Sequence, residues 1–102
     1  MLKSARMRAI SNNTESLVEA DLVKHEVRAS GVSEPLRIDR HLRVSLLTAR
    51  QEIEKVKGAI RFFPDGSSTG GTFRLESENR AIAIHVSWLT GLIRQERSNV
   101  RQ

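Results

Sequence analysis

Apolar residues recur along this chain with two different periods, and the change between them falls at Ser11-Asn12-Asn13. Before it, Leu2, Ala5 and Ala9 share one helical stripe while Lys3, Arg6 and Arg8 lie elsewhere around the axis, which predicts a short helix over residues 1–12. Three turns do not hold alone in water, so this helix must pack on the rest of the domain or fray. From Thr14 the period is two. Val18 and Ala20 alternate with Leu17 and Glu19; Val23, Val27 and Ala29 then line a face opposite Lys24, Glu26 and Arg28, with a tight connection at Asp21-Leu22. Residues 30–35 read as a loop, because Pro35 has no N–H for a sheet ladder. Leu36 and Ile38 make a short strand, and Leu42, Val44 and Leu46 a longer one. Residues 51–57 are charged and suit a loop tip or a turn of helix, and the loop is favoured because Ile53 and Val56 make too narrow a stripe.

Ile60 and Phe62 alternate with Arg61 and Phe63 until Pro64-Asp65-Gly66, whose residues suit a type I turn. Gly70-Gly71 permits positive φ or a bulge, after which Phe73 and Leu75 resume the alternation. The expectation is a hairpin: two antiparallel strands joined by a Gly/Ser loop, with Ser67 and Ser68 as loop-tip hydroxyls that water can replace. Farther on, Ile82, Ile84, Val86 and Trp88 share a face. Ala81, Ala83, His85 and Ser87 lie opposite, and the small residues among them predict that another element, the helix, lies close to that face. Glu78-Asn79 and Leu89-Thr90-Gly91 read as hairpin turns, Asn79 tolerating the left-handed region and Gly91 suiting a bulge. The fold class is therefore α+β, an N-terminal helix packed on an antiparallel β-sheet or β-sandwich. One domain is expected over residues 1–102, with a helix over 1–12, a β-rich part over 14–96 and a basic tail over 97–102.

A chain of 102 residues is long enough to bury one core without staples. It has no cysteine, which excludes a disulfide framework and thiolate metal sites. No run approaches the ~18 apolar residues of a spanning helix. The net charge of +5 is concentrated at the ends: Lys3, Arg6 and Arg8 precede the first acid, and Arg94, Arg97 and Arg101 face only Glu96. Between Glu15 and Ile93, eleven bases balance eleven acids. Basic ends suit nucleic acid, anionic lipid or an acidic partner, or simply keep the chain soluble; aromatic residues interleaved for base stacking are missing.

Catalytic patterns are weak. His25, His41 and His85 are sixteen and forty-four residues apart, without the short spacings that build metal sites on local structure. Ser67 or Ser68 with Asp65 and His85 can be drawn as a triad, but the serines lie in a loop between strands and not on a strand-to-helix elbow. Asp65, Ser67 and Thr69 have alternating oxygens as in a calcium loop, yet no second carboxylate or distal Glu follows. The Gly/Ser loop lacks the Lys of a phosphate-binding loop. No cofactor, metal or small-molecule substrate is expected, and an enzyme is disfavoured.

The string Phe62-Phe63-Pro64-Asp65-Gly66-Ser67-Ser68-Thr69-Gly70-Gly71, followed by Val86-Ser87-Trp88-Leu89-Thr90-Gly91, resembles the C-terminal half of the minor pseudopilin H family of the type II secretion system. The same domain occurs in minor pilins of type IV pili. In that family a strand ending in Phe-x-Pro-Asp-Gly-Ser-Ser-x-Gly-Gly leads to a strand, a hairpin and a closing Trp-Leu-Thr-Gly turn. Phe62, Pro64, Asp65, Gly66, Ser67, Ser68, Gly70, Gly71, Trp88, Leu89, Thr90 and Gly91 fit that pattern, and the resemblance is specific over residues 58–94. It implies a pilin-like fold in which Leu2, Ala5 and Ala9 belong to the last part of the long N-terminal pilin helix. It implies a structural subunit, partnered by other pseudopilin subunits, in a periplasmic domain of an inner-membrane-anchored protein, near the tip of a short pilus that exports folded proteins. Members of the family begin with a Gly-Phe-Thr-Leu-like cleavage site and an apolar helix. This sequence has neither, so a shortened form or an unusual member is implied, monomeric or weakly associated, with membrane contact only through a helix absent here. The alternative is a type IV minor pilin-like module in which Arg94, Arg97 and Arg101 contact DNA or an acidic partner.

Overall fold

A computed structural model describes residues 1–47 and 57–99, so residues 51–56 of the expected loop, and Arg101, lie outside the described residues. Among the described residues one helix, α1 (Leu2–Ser11), precedes eight strands: β1 (Ser16–Asp21), β2 (Glu26–Ala29), β3 (Leu36–Arg37), β4 (Arg43–Leu47), β5 (Lys57–Phe62), β6 (Gly71–Glu76), β7 (Arg80–Val86) and β8 (Ile93–Asn99). They form two four-stranded sheets, ordered β3-β2-β1-β5 and β4-β6-β7-β8, in which every pair of neighbours is antiparallel. A helix followed by antiparallel sheet is the α+β arrangement that the change of period predicts.

The helix ends where the sequence places its stop. Asn13 takes a left-handed φ of 50°, and the Thr14 N–H returns to the Ala9 carbonyl at 3.1 Å. Ala5 and Ala9 are fully buried against β1 and β5, where a side chain no longer than a methyl lets helix and sheet backbones come close. Leu2 packs at the margin of the same core. Strand alternation supplies the rest: Val18, Ala20, Val27, Ile60 and Phe62 from one sheet meet Leu46, Phe73 and Val86 from the other.

The expected hairpin between β5 and β6 does not form, because the two strands belong to different sheets. After β5 the loop folds back on its own strand instead. Phe62 bridges to Ser68, and the Thr69 N–H donates to the Arg61 carbonyl at 3.0 Å, so the free edge at the end of β5 is taken by the loop itself. At Gly70-Gly71, with φ of 77° and 154°, the chain crosses to the other sheet and pairs with β4 and β7.

Other departures have local causes. Val23 is 63% exposed because Asp21 Oδ1 accepts the N–H groups of Val23 and Lys24, at 3.0 and 2.9 Å, and the tight turn breaks the alternation. Ala81 and Ala83 are buried, but not under the helix: their cross-strand neighbours are Glu76 and Arg74 on β6 and Ser98 and Glu96 on β8, whose longer side chains flank them. Asn79 does not use the left-handed region; His25 does, with φ of 55°. Trp88 leaves the face of Ile84 and Val86 because β7 ends at Val86. Arg97 is no tail residue, since β8 runs on to Asn99, which pairs with Arg80.

Ser16 sits opposite Phe62, is 1% exposed, and its Oγ has no hydrogen-bond partner among the described residues. An unpaired buried hydroxyl costs free energy, so Ser16→Ala is expected to hold or raise stability by up to about 1 kcal/mol. Phe62→Ala, by contrast, empties a fully buried site and is expected to cost about 3–5 kcal/mol. Urea unfolding of both variants checks this; a Ser16→Ala protein clearly weaker than wild type would show that the hydroxyl has a partner.

Candidate functional site

The residues of the glycine-rich string and of the Trp88 turn meet in one place. Phe63 accepts the Gly66 N–H at 2.8 Å, closing the turn that Pro64-Asp65 initiates, and its own N–H donates to the Ser67 carbonyl at 2.9 Å. Asp65 Oδ1 accepts the Ser67 hydroxyl at 2.6 Å and the Ser67 N–H at 2.9 Å. These bonds, the hydroxyl's first and the amide's second, hold the Asp65 carboxyl below its ordinary value of 3.8. The loop that joins β7 to β8 is closed by the Ser87 N–H donating to Leu92 at 3.0 Å and the Gly91 N–H to Ser87 at 2.8 Å.

The two loops are joined by Ser68 and by Gly91. Ser68 is 5% exposed, its N–H donates to the Trp88 carbonyl at 3.0 Å, and its hydroxyl donates to Ser87 at 2.9 Å while accepting the Gly70 N–H at 2.9 Å. Ser68 is therefore no loop-tip residue, contrary to the sequence expectation. Gly91, with φ of 71°, lies so close to Gly66 that a Cβ there would fall 1.7 Å from the Gly66 carbonyl oxygen. Only glycine fits this gap. At Gly70 an added Cβ would meet the Trp88 Cβ at 3.0 Å.

From α1, Arg6 completes the junction. Its Nε donates to the Gly66 carbonyl at 3.1 Å, and its Nη2 donates to the Thr90 carbonyl at 3.1 Å. One guanidinium thus spans both loops in the fork geometry that lysine lacks. Sequence reasoning counted Arg6 only as part of a basic start. The signal available was its position one residue beyond Ala5, on the flank of the helix's buried stripe.

Thr90 Oγ1 accepts the Leu92 N–H at 3.2 Å, while Trp88, Leu89 and Leu92 point outward, 68%, 65% and 61% exposed. Arg94 and Arg97 are exposed on β8, at the edge of its sheet, and the third residue of that expected contact, Arg101, is outside the described residues.

The drawn triad does not assemble. His85 Nδ1 lies 3.1 Å from Thr72 Oγ1 and its Nε2 lies 3.3 Å from Glu96, whereas Asp65 is bonded to Ser67. Thr69 Oγ1 accepts the Arg61 N–H at 3.1 Å, which commits one of the expected calcium-loop oxygens to the loop's own fold. Two of the separate histidines converge on one aspartate: His41 Nδ1 lies 3.0 Å from Asp39 Oδ1, and His25 Nδ1 lies 3.3 Å from its carbonyl oxygen. Among the described residues no group of three or more metal-ligating side chains forms. An apolar cavity of about 360 Å³ lies between the sheets, lined by residues that include Val18, Leu36, Ile38, Ile84 and Ile93, with Lys3 its one charged lining residue among those described. The arrangement at the junction is a clasp of backbone groups with an apolar tip.

The family model of the type II transport protein GspH matches residues 1–91. A 54-residue stretch is 41% identical to the type II secretion system protein H of Xanthomonas campestris pv. campestris, covering 52% of this chain and 32% of that relative. The match thus spans about a third of the relative's length. The fold is similar to that of the minor pseudopilin EpsH from the type 2 secretion system of Vibrio cholerae, with a TM-score of 0.72 over 93% of this chain and 86% of that one, at 10% identity. Among the described residues no helix is long and apolar enough to cross a membrane.

Gly91→Ala is expected to destabilise the domain by at least about 2 kcal/mol, from left-handed strain and the collision with Gly66 together. Ser68→Ala, which leaves the Gly70 N–H unpaired and the Ser87 carbonyl with the Gly91 N–H as its remaining donor, is expected to cost about 1–3 kcal/mol, and Ser67→Ala close to none. Urea titrations of the three variants check the order; equal effects at the two serines would contradict the clasp. Because the folded carboxyl of Asp65 titrates below 3.8, its stabilisation is complete above that pH and is lost as pH falls through the lower folded value. The Tm gap between wild type and Asp65→Ala should accordingly be constant from neutral pH down to about 5 and close below about 4.

Proposed function

The chain belongs to the type II transport protein GspH family, and from that membership we propose that it is the globular part of a minor pseudopilin in a type II secretion system. The observation that carries this reading is the family match over residues 1–91, which takes in the helix, most of both sheets and the clasp. In this reading the two sheets pack as a β-sandwich over one core, and the domain stands in the periplasm, carried by a membrane-associated protein. It serves export of folded proteins without catalysing a reaction. Its partners are other pseudopilin subunits.

The surface of α1 supports an assembling role. Ala5 and Ala9 face the sheet, while Met7, 55% exposed, and Ile10, 39% exposed, lie three residues apart on the other side. An apolar pair on the outer flank of a short helix gives neighbouring subunits a seam, and the sheets offer lateral contacts. The family is one of protein export, which favours that role over DNA binding through Arg94, Arg97 and Arg101.

Deletion of the gene in the source bacterium is expected to leave folded exoproteins in the periplasm, and the wild-type gene to restore their release. Met7→Glu is expected to lower the released fraction several-fold while the Tm of the purified domain stays unchanged. Normal secretion in the deletion strain would contradict the proposed function.

A further inference from the structure

We propose that Trp88, Leu89 and Leu92 form a docking surface for another protein subunit, of different sequence, that offers an apolar depression bordered by carboxylates. The inference rests on reading the chain as an assembling subunit and names the face that reading leaves open.

A short connection between two strands is ordinarily polar. Here Trp88, Leu89 and Leu92 lie within the six residues between β7 and β8, each more than 60% exposed, and none belongs to the core. Their exposure does not come from a loosely held loop. The Thr90 carbonyl is bonded by Arg6, Gly91 is seated on Gly66, and the Trp88 carbonyl accepts the Ser68 N–H, so the backbone beneath all three side chains is fixed from behind. A surface ordered in advance loses little conformational freedom on binding, and a tryptophan on such a support is the residue type that most often anchors a protein interface.

Charge selects the kind of partner. Arg94 lies two residues beyond Leu92, at the start of β8, and neither Arg94 nor Arg6 has a carboxylate partner among the described residues. The nearby carboxylate of the clasp, Asp65, is turned to its own Ser67. An apolar tip beside uncompensated guanidinium groups fits a partner with acidic groups around an apolar pocket. A second copy fits poorly: two chains of net charge +5 meeting tip to tip would bring like charges together.

The test uses the purified chain and, as probes, the purified periplasmic domains of the other pseudopilin subunits encoded in the same genome. One of them is expected to bind. The double variant Trp88→Ser/Leu89→Ser should weaken that binding at least tenfold with its Tm within a few degrees of wild type, because the Ser68 to Trp88 backbone bond is retained. Arg94→Glu should weaken it as well, and so should added salt. Binding unchanged in the double variant, no binding to any domain, or self-association of the wild type that the double variant abolishes would each overturn the proposal. Secretion assays separate its failure from that of the function. A deletion strain that still secretes removes the function; one that does not, but is fully restored by Trp88→Ser/Leu89→Ser, removes the docking surface alone.

Discussion

The closeness of Gly91 to the carbonyl of Gly66 is the constraint around which the rest of this domain is arranged. No side chain fits between them, so the loop that carries the chain from one sheet to the other and the loop that closes the second sheet's last hairpin are in backbone contact. Arg6 ties the helix to the same point. Each hydrogen bond at the junction contributes only about 1 kcal/mol net, but they share partners, so removing one leaves others exposed or unpaired. The helix is docked by Ala5 and Ala9 against one sheet and held by Arg6 to the crossing loop and to the last hairpin of the other, so the three parts are expected to fold as a unit.

Much of this was legible in the sequence where a periodic pattern or a turn residue decided the outcome. The helix stripe of Ala5 and Ala9, the alternation of Val18, Ala20, Ile60 and Phe62, and the Pro64-Asp65-Gly66 turn follow from local rules. Sheet membership did not. The strands flanking the glycine string carry the same alternation whether they pair with each other or with distant strands, and the deciding bonds of Ser68 and Thr69 are tertiary. Burial of Ser68 and the bridging role of Arg6 were hidden for the same reason: both depend on carbonyls about twenty to eighty residues away. Trp88 was misplaced because extending the alternation of β7 by one step overlooked the end of the strand at Val86.

The chemistry of the junction fits the contact role proposed for it. Its hydroxyls and carboxylate are engaged in shaping turns: Asp65 with Ser67, Ser68 with Ser87, Thr90 with Leu92. What faces outward is hydrocarbon, on a backbone that the clasp holds still. A subunit that works by taking its place among neighbours needs surfaces of defined shape more than reactive groups, and the outer flank of α1 and the Trp88 tip are the two surfaces proposed for that role.

Amide hydrogen exchange tests the clasp most directly. If helix, crossing loop and hairpin form one cooperative unit, the N–H groups of Ser68, Gly70 and Gly91 will exchange with the same opening free energy as those of Ile60 and Phe62 in β5, and Arg6→Ala will lower protection at all of them together. Fast exchange at Ser68, Gly70 and Gly91 beside a protected β5, unaffected by Arg6→Ala, would show that the loops merely cover a core that is stable without them.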